Sequence, residues 1–185
     1  DLKGKIVDTF NGADNNKDVK DHVGHGTHVA GIAAASTNNA LGVAGVAPEC
    51  GILAVKVSSG SSSYPSTAGI ANGIMYAADH GADVINLSLG SSRQSQAITD
   101  AVKYALAKNV VVVAATGNDG GRIKSYPAAV PGVIAVGSTD ASDTRSRFSN
   151  YGDWVSVTAP GSDILSTFPF NSNLIGKTEY GSISG

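Results

Sequence analysis

The clearest chemical feature of the chain is His25, which opens the stretch His25-Gly26-Thr27-His28-Val29-Ala30-Gly31. Glycines stand on both sides of it, and small apolar residues continue as far as Ala35, a pattern that predicts a buried helix. An imidazole at the start of a rigid helix can lie exposed beside a substrate and accept a proton from it. We therefore predict a general base at His25 and a structural, hydrogen-bonded role for His28 one turn later.

A second polar side chain, Asn118, follows the apolar run from Val110 to Ala115, which reads as a buried strand. The carboxyl ends of parallel strands are where α/β proteins place their sites. A side-chain amide at such an edge can donate a hydrogen bond to an oxyanion that forms during acyl transfer. The run Asn118-Asp119-Gly120 is also typical of a plain turn, so both interpretations stand at this point.

Short apolar runs and longer amphipathic segments alternate along the chain. The predicted strands are uniformly apolar and rich in Val and Ile, which is typical of strands covered on both faces of a parallel sheet. They are residues 51–57, 84–89, 110–115 and 133–137. Between them, Ile98, Val102 and Ala105 mark one apolar helix face, and residues 67–80 predict a second helix. The alternation predicts an α/β fold with right-handed crossovers.

Composition limits the classes of function. The chain has 185 residues with 42% hydrophobic and 15% charged side chains, enough for one domain with a proper core. A net charge of -2 gives no electrostatic basis for nucleic-acid binding. No apolar run approaches the roughly 20 residues of a membrane span. Cys50 is the single cysteine, which excludes an intrachain disulfide framework. We expect a monomer without nucleic-acid or membrane partners.

The histidine segment resembles the histidine motif of the subtilisin-like serine proteases (subtilases, peptidase family S8). Other segments match that family in the same order, which is more specific than any single motif. They are residues 1–5, 42–48, 83–90, 110–120, 148–152 and 159–161. Thr37-Asn38-Asn39 places the chain nearest to the thermitase-like branch. The resemblance implies a three-layer parallel sheet with helices on both faces, as one catalytic domain over residues 1–185 that is incomplete at both ends.

The family's activity is that of a secreted serine endopeptidase with an Asp-His-Ser triad. By resemblance, His25 is the triad histidine and Asn118 the oxyanion-hole donor, and both converge on one scissile carbonyl. The catalytic aspartate would precede Asp1, and the nucleophile would be the second residue after Gly185. Asp8 only superficially matches the aspartate motif, because Phe10 stands where that motif needs glycine. The alternative function is a catalytically inactive subtilase-like fragment or scaffold.

The resemblance also assigns residues that bind a polypeptide substrate. Ser88, Leu89 and Gly90 would form an edge strand that pairs with the extended backbone of the substrate. Ala115 and Gly117 would line the pocket for the residue before the cleaved bond. Small residues at these positions predict a roomy apolar pocket and broad specificity.

Calcium is the cofactor that the resemblance implies. The strong site of thermitase-like enzymes matches the side chains of Asp1 and Asn39 and the backbone carbonyls of Ser36, Leu41 and Val43. Oxygen-only ligation of this mixed kind suits a hard cation. A second oxygen cluster spans residues 11–18 and comprises Asn11, Asp14, Asn16 and Asp18. For that cluster a solvated polar turn is the favoured interpretation.

Two other classes of protein fit the sequence less well. His22, His25 and His28 recur every third residue, as zinc ligands on one helix face would. Glycines 24 and 26 argue against helix there, and no glutamate stands between the histidines. Gly176-Lys177-Thr178 is similar to the end of a phosphate-binding loop, but Asn171 occupies the position of its required first glycine.

Overall fold

The computed structural model describes residues 1–174 and 176–185, which form two compact units. One unit contains residues 1–73 and 165–182, and the other contains residues 74–164 and 183–185. The prediction of one domain over residues 1–185 stays a prediction. Within the described residues, no helix is both long enough and apolar enough to cross a membrane.

Eight strands and three helices make up the described part of the chain, which confirms the predicted α/β class. In chain order they are β1 (Ile6–Asn11), α1 (His25–Ala34), β2 (Ile52–Lys56), α2 (Thr67–Asp79), β3 (Val84–Leu87), α3 (Gln96–Ala107), β4 (Val111–Ala115), β5 (Ile134–Thr139), β6 (Val157–Pro160), β7 (Ile164–Thr167) and β8 (Tyr180–Ile183). All four predicted strands and all three predicted helices are present, with ends that shift by at most two residues.

In the first unit, strands β1 and β2 pair in parallel, and β7 pairs with β8. Helix α1 lies directly against β7, because two hydroxyls of that strand bond to helix carbonyls. Ser166 Oγ donates to the carbonyl of His28 at 2.8 Å, and Thr167 Oγ1 donates to that of Thr27 at 2.8 Å. These bonds give two carbonyls of the first helical turn a second donor and hold that end of α1 in place.

In the second unit, four parallel strands lie in the order β3-β4-β5-β6, and α3 packs against β4. The Ser95 hydroxyl caps α3 by accepting from the backbone N–H of Ile98. The helix buries Ala101, Val102 and Ala105, the face that its sequence periodicity predicts. The sheet buries one set of alternating side chains, namely Ile85, Leu87, Val112, Ala114 and Ala135.

The opposite face of this sheet is apolar but exposed. Its side chains include Val84, Val111, Ile134 and Val157, which are 56%, 43%, 39% and 50% exposed. The pairs Val84–Val111, Val113–Ile134 and Val136–Val157 show that these side chains lie on neighbouring strands of one face. The continuous apolar runs predict strands covered on both faces, whereas the structure exposes one face. A contiguous apolar surface of this kind marks a place where a further element or partner packs.

Candidate active site

His25 is the first residue of α1, directly after Gly24 with a left-handed φ of 103°. The residue is exposed, and its ring nitrogens form no hydrogen bond with any residue in 1–174 or 176–185. Both nitrogens are therefore available for a carboxylate on one side and a hydroxyl on the other, as a general base requires. His28, in contrast, is only 2% exposed and lies against the ring of Phe168, with 5.2 Å between ring centroids. This placement agrees with its predicted structural role.

Asp21 holds the backbone that precedes His25, a role that was not predicted from the sequence. Its Oδ1 accepts from the backbone N–H groups of Gly24 at 2.8 Å and Val23 at 3.0 Å. Its Oδ2 accepts from the backbone N–H and the hydroxyl of Thr27, at 2.9 and 2.7 Å. A carboxylate at a helix N-terminus satisfies donors that the helix leaves unpaired. An aspartate shortly before a helix start was the sequence signal that could have identified it.

The pKa values of these two groups favour a neutral base beside an ionised carboxylate. Although His25 is exposed, the protein around its ring removes enough water for desolvation to lower the pKa below the ordinary value. The Asp21 carboxylate opposes this change and raises the pKa, and His28 lowers it further. For Asp21 itself, burial raises the pKa, but the hydrogen bonds from Gly24, Thr27 and Val23 outweigh burial and lower it.

We expect Asp21→Asn to lower the pKa of His25 further, because the charge that raises it is removed. The free energy of unfolding should fall by about 1 kcal/mol, because the donors of Thr27 lose a charged acceptor. An NMR titration of the His25 ring and urea unfolding measure the two effects. Asp8→Asn makes the same charge change in an exposed pair with Lys17 and should leave the midpoint of the His25 titration unchanged. A midpoint that rises in Asp21→Asn would contradict the assignment.

The predicted substrate-binding residues meet in the second unit. Strands β3 and β4 are neighbours with Leu87 opposite Ala114, so Ser88 and Ala115 follow at the same edge of the sheet. In the segments that follow these two strands, Gly90 and Gly117 both approach Ser125. A Cβ on Gly90 would collide with Ser125 Oγ, and one on Gly117 would lie 3.4 Å from Ser125 Cβ. The structure therefore brings Ser88, Leu89, Gly90, Ala115 and Gly117 together.

One detail of that prediction is corrected. The strand expected to reach Leu89 ends at Leu87, and Ser88–Gly90 lie outside regular strand. The ladder to β4 ends at the pair Leu87–Ala114, although β4 itself stays paired with β5 at Ala115. Pairing resumes only at Ser91, which exchanges two backbone hydrogen bonds with Tyr126 at 3.0 and 2.8 Å. Pairing of Ser88–Gly90 with a substrate stays a prediction.

Asn118 lies on the loop that follows β4, and its side chain is exposed. Among the residues that the structure describes, none forms a hydrogen bond with its side-chain amide. The nearest chain segment is the one that ends at Gly185: a Cβ on Gly185 would lie 3.5 Å from Asn118 Nδ2. The backbone N–H of Gly185 donates to the carbonyl of Gly161 at 2.9 Å, which fixes that segment beside the amide. The two N–H groups of the Asn118 side-chain amide therefore lie beside Gly185.

The residues predicted to bind calcium surround the Asp1 carboxylate. Its Oδ1 accepts from Asn39 Nδ2 at 2.8 Å, and its Oδ2 accepts from the backbone N–H of Val43 at 3.0 Å. The backbone N–H of Ser36 donates to the Asp1 carbonyl at 3.0 Å, and that of Leu41 donates to Asn39 Oδ1 at 3.0 Å. Both oxygens of the Asp1 carboxylate therefore accept from N–H groups of the predicted ligand residues, and calcium binding by these residues stays a prediction.

The second oxygen cluster forms a closed turn. The Asn11 side chain is 1% exposed and uses both ends of its amide within the loop. Nδ2 donates to Asp14 Oδ2 at 3.1 Å and to the carbonyl of Asp18 at 3.0 Å, while Oδ1 accepts from the backbone N–H groups of Ala13 and Asp14, each at 3.0 Å. The amide already satisfies these oxygens, which supports the favoured interpretation of a polar turn.

The competing interpretations find no support in the described residues. Helix α1 begins at His25, so His22 lies before it and the three histidines do not share a helix face. Within residues 1–174 and 176–185, no three His, Cys, Asp or Glu side chains are grouped as metal ligands. Residues 176–178 lead into strand β8, whereas a phosphate-binding loop opens a helix. Asp8 accepts from Lys17 Nζ at 2.7 Å on the surface of β1.

Comparison with known proteins agrees with this geometry. Thermitase from Thermoactinomyces vulgaris is 50% identical over 185 residues, which are 100% of this chain and 63% of thermitase. The thermophilic serine proteinase of Bacillus sp. (strain AK1) is 51% identical over 171 residues, which are 92% of this chain and 42% of that protein. A crystal structure of a cold adapted subtilisin-like serine proteinase superposes with a TM-score of 0.85 at 37% identity, covering 100% of this chain and 63% of that one.

The chain thus spans about three fifths of the length of thermitase and less of the second relative. The family model described as the subtilase family matches residues 1–185. That match includes every residue of the site described above. On the full-length match and the similarity to thermitase, the chain belongs to the subtilase family.

Proposed function

We propose that residues 1–185 are the central part of a serine endopeptidase of the subtilisin type. His25 is its general base and Asn118 its oxyanion donor, and sequence outside residues 1–185 supplies the triad aspartate and serine. The observation that carries the proposal is the position of Gly185 beside the Asn118 amide, 3.5 Å from a Cβ built on that glycine. A nucleophile two residues after Gly185 would lie near the Asn118 amide, whose N–H groups would stabilise the oxyanion that forms when the nucleophile attacks.

The reaction of such a site is acyl transfer. The serine hydroxyl attacks the scissile carbonyl while His25 accepts its proton, and the carbonyl oxygen becomes an oxyanion that accepts a hydrogen bond from Asn118 Nδ2. When the tetrahedral intermediate collapses, the C–N bond breaks and His25 returns the proton to the leaving amine. Water then attacks the acyl-enzyme by the same sequence and releases the second product. The lowered pKa of His25 supports the role of proton acceptor, because the ring is neutral near pH 7.

The proposed substrate is an extended polypeptide. Ser88–Gly90 would bind its backbone, and the small residues Ala115 and Gly117 would admit a large apolar side chain before the cleaved bond. We further propose that the protein is secreted and acts as a monomer, in keeping with its family. The exposed apolar face formed by Val84, Val111, Ile134 and Val157 supports the presence of a covering element, such as the helix that carries the serine in this family.

A serine-directed fluorophosphonate tests this function. A product of the gene that carries residues 1–185 together with the serine motif should lose peptidase activity irreversibly and gain the mass of one label. A zinc-selective chelator should leave the activity of the unlabelled enzyme unchanged, whereas inhibition that added zinc reverses would indicate a metal hydrolase. A product that hydrolyses no peptide and takes up no label would instead identify a catalytically inactive subtilase scaffold.

We propose that a structural calcium ion is held by Asp1, Asn39 and the carbonyls of Ser36, Leu41 and Val43. When bound, the ion would stabilise the folded state by mass action, by about 2.7 kcal/mol at a concentration 100 times Kd. Excess EGTA should therefore lower the melting temperature by about 5–10 °C for a chain of this size. Asp1→Asn should make the melting temperature insensitive to calcium, while Asp8→Asn should keep the response. Identical melting curves in calcium and EGTA would remove the assignment.

A further inference from the structure

Asn150 commits its whole side chain to the loop that carries Asn118. The residue is 1% exposed, which places its amide in the interior. Its Oδ1 accepts from the backbone N–H groups of Asp119 at 2.9 Å and Gly121 at 3.4 Å. Its Nδ2 donates to Asp119 Oδ2 at 2.9 Å and to the carbonyl of Ile123 at 3.1 Å. All four bonds of the amide end within residues 119–123.

The backbone around Asn150 binds the same loop. The N–H of Asn150 donates to the carbonyl of Gly117 at 3.0 Å, and the N–H of Tyr151 donates to that of Gly121 at 3.1 Å. From the other side, the N–H of Gly120 donates to the carbonyl of Phe148 at 2.6 Å. A Cβ on Gly117 would lie only 2.7 Å from Asn150 Nδ2, so the loop lies directly on the amide. The residues before and after Asn118 are both tied to Asn150.

An oxyanion donor is effective only where it is already in place. Its position has to be held within about 0.5 Å, since donors that reorganise during the reaction lose most of their effect. The side chain of Asn118 has no hydrogen-bond partner among the residues of 1–174 and 176–185, so the loop backbone is what restrains the region that its amide can reach. The backbone of that loop is fixed at residues 117, 119 and 121 by Asn150.

We infer that Asn150 is a positioning residue for the oxyanion donor and that the Asp119 carboxylate is its partner. The inference rests on the proposed function in one respect, the role of Asn118 as that donor. The contacts require an amide, because the position both accepts from backbone N–H groups and donates to a carboxylate. An aspartate at 150 would keep the acceptor but place a second carboxylate about where Nδ2 now lies 2.9 Å from Asp119 Oδ2.

Amide hydrogen exchange in the complete protein tests the structural half without any catalysis. We expect Asn150→Ala to speed exchange at the backbone N–H groups of Asp119 and Gly121 by about tenfold or more, equivalent to about 1.4 kcal/mol of lost protection. Exchange at Val112, inside β4, should stay slow. Asn11→Ala is the matched control, because Asn11 is equally buried and also makes four side-chain hydrogen bonds. It should not speed exchange at Asp119 or Gly121.

Kinetics of the complete enzyme test the catalytic half. Asn150→Ala should lower kcat about 100-fold with little change in KM, the effect expected when a catalytic group is displaced by about 1 Å. Asn11→Ala should retain kcat. Asn150→Asp should be at least as damaging as Asn150→Ala, and adding Asp119→Asn should recover about tenfold in kcat, because the swapped pair again joins an amide to a carboxylate.

Each outcome decides one half of the inference. Unchanged exchange at Asp119 and Gly121 in Asn150→Ala would overturn the positioning role even if the protein proved to have no peptidase activity. Faster exchange with an unchanged kcat would show that the donor does not need the amide, and it would also overturn the inference. A swapped pair no better than Asn150→Asp alone would remove Asp119 as the partner. Absence of peptidase activity in the unmodified enzyme would refute the proposed function, while the exchange result would still stand.

Discussion

His25→Ala is expected to abolish peptide hydrolysis by the complete enzyme, with a fall in kcat of about 10⁶-fold. That magnitude is the one known for the same loss in subtilisin, a relative in the same family. The physical reason is that a serine hydroxyl is a poor nucleophile until a base accepts its proton, and an alanine side chain cannot accept one. Since His25 is exposed at the first position of α1, its removal leaves the core of the unit in place.

Steady-state hydrolysis of a peptide substrate and the rate of fluorophosphonate labelling measure this loss together. His80→Ala is the matched control, because His80 is also exposed and lies at the end of α2. It should retain both rates. His28→Ala should instead lower the free energy of unfolding, because His28 is 2% exposed against Phe168. Activity within tenfold of the unmodified enzyme in His25→Ala would show that another group is the base.

The elements that could be predicted from the sequence are those whose apolar residues are buried against a neighbouring element. Helix α3 shows the 3.6-residue period because it covers one face of a sheet, and β4 is uniformly apolar because it lies inside that sheet. Strands β1, β6, β7 and β8 were not predicted. All four residues of β6 are exposed, and the others are short or rich in polar residues, so backbone pairing rather than side-chain burial determines them.

The residues of the candidate site also differ in whether the local sequence could identify them. His25 and Asn118 could be identified because each stands in a local motif, at a helix start and after a buried strand. Asp21 had a local signal, since a capping aspartate precedes the helix that it stabilises, but the regular spacing of the neighbouring histidines is the more prominent pattern there. Asn150 had no local signal. It lies about thirty residues after the loop that it binds, and only the folded chain brings the two together.

Asn118→Ala is expected to lower kcat of the complete enzyme by about 10²–10³-fold with little change in KM. This range belongs to the corresponding donor of subtilisin, the family relative from which it is taken over. KM should stay unchanged because the amide donates its hydrogen bond to the oxyanion and not to the ground-state carbonyl. That hydrogen bond forms only as the transition state is reached. The melting temperature should hold as well, because the side chain is exposed and forms no hydrogen bond among the described residues.

The pH profile separates this loss from the loss of the base. An amide does not titrate, so Asn118→Ala should lower kcat by the same factor at every pH and leave the acid limb of the profile in place. Asn173→Ala removes another exposed amide and should leave kcat unchanged. A large rise in KM at constant kcat would instead assign Asn118 to substrate binding. Faster amide exchange at Asp119 and Gly121, the result expected for Asn150→Ala, would instead assign Asn118 to the support of the loop.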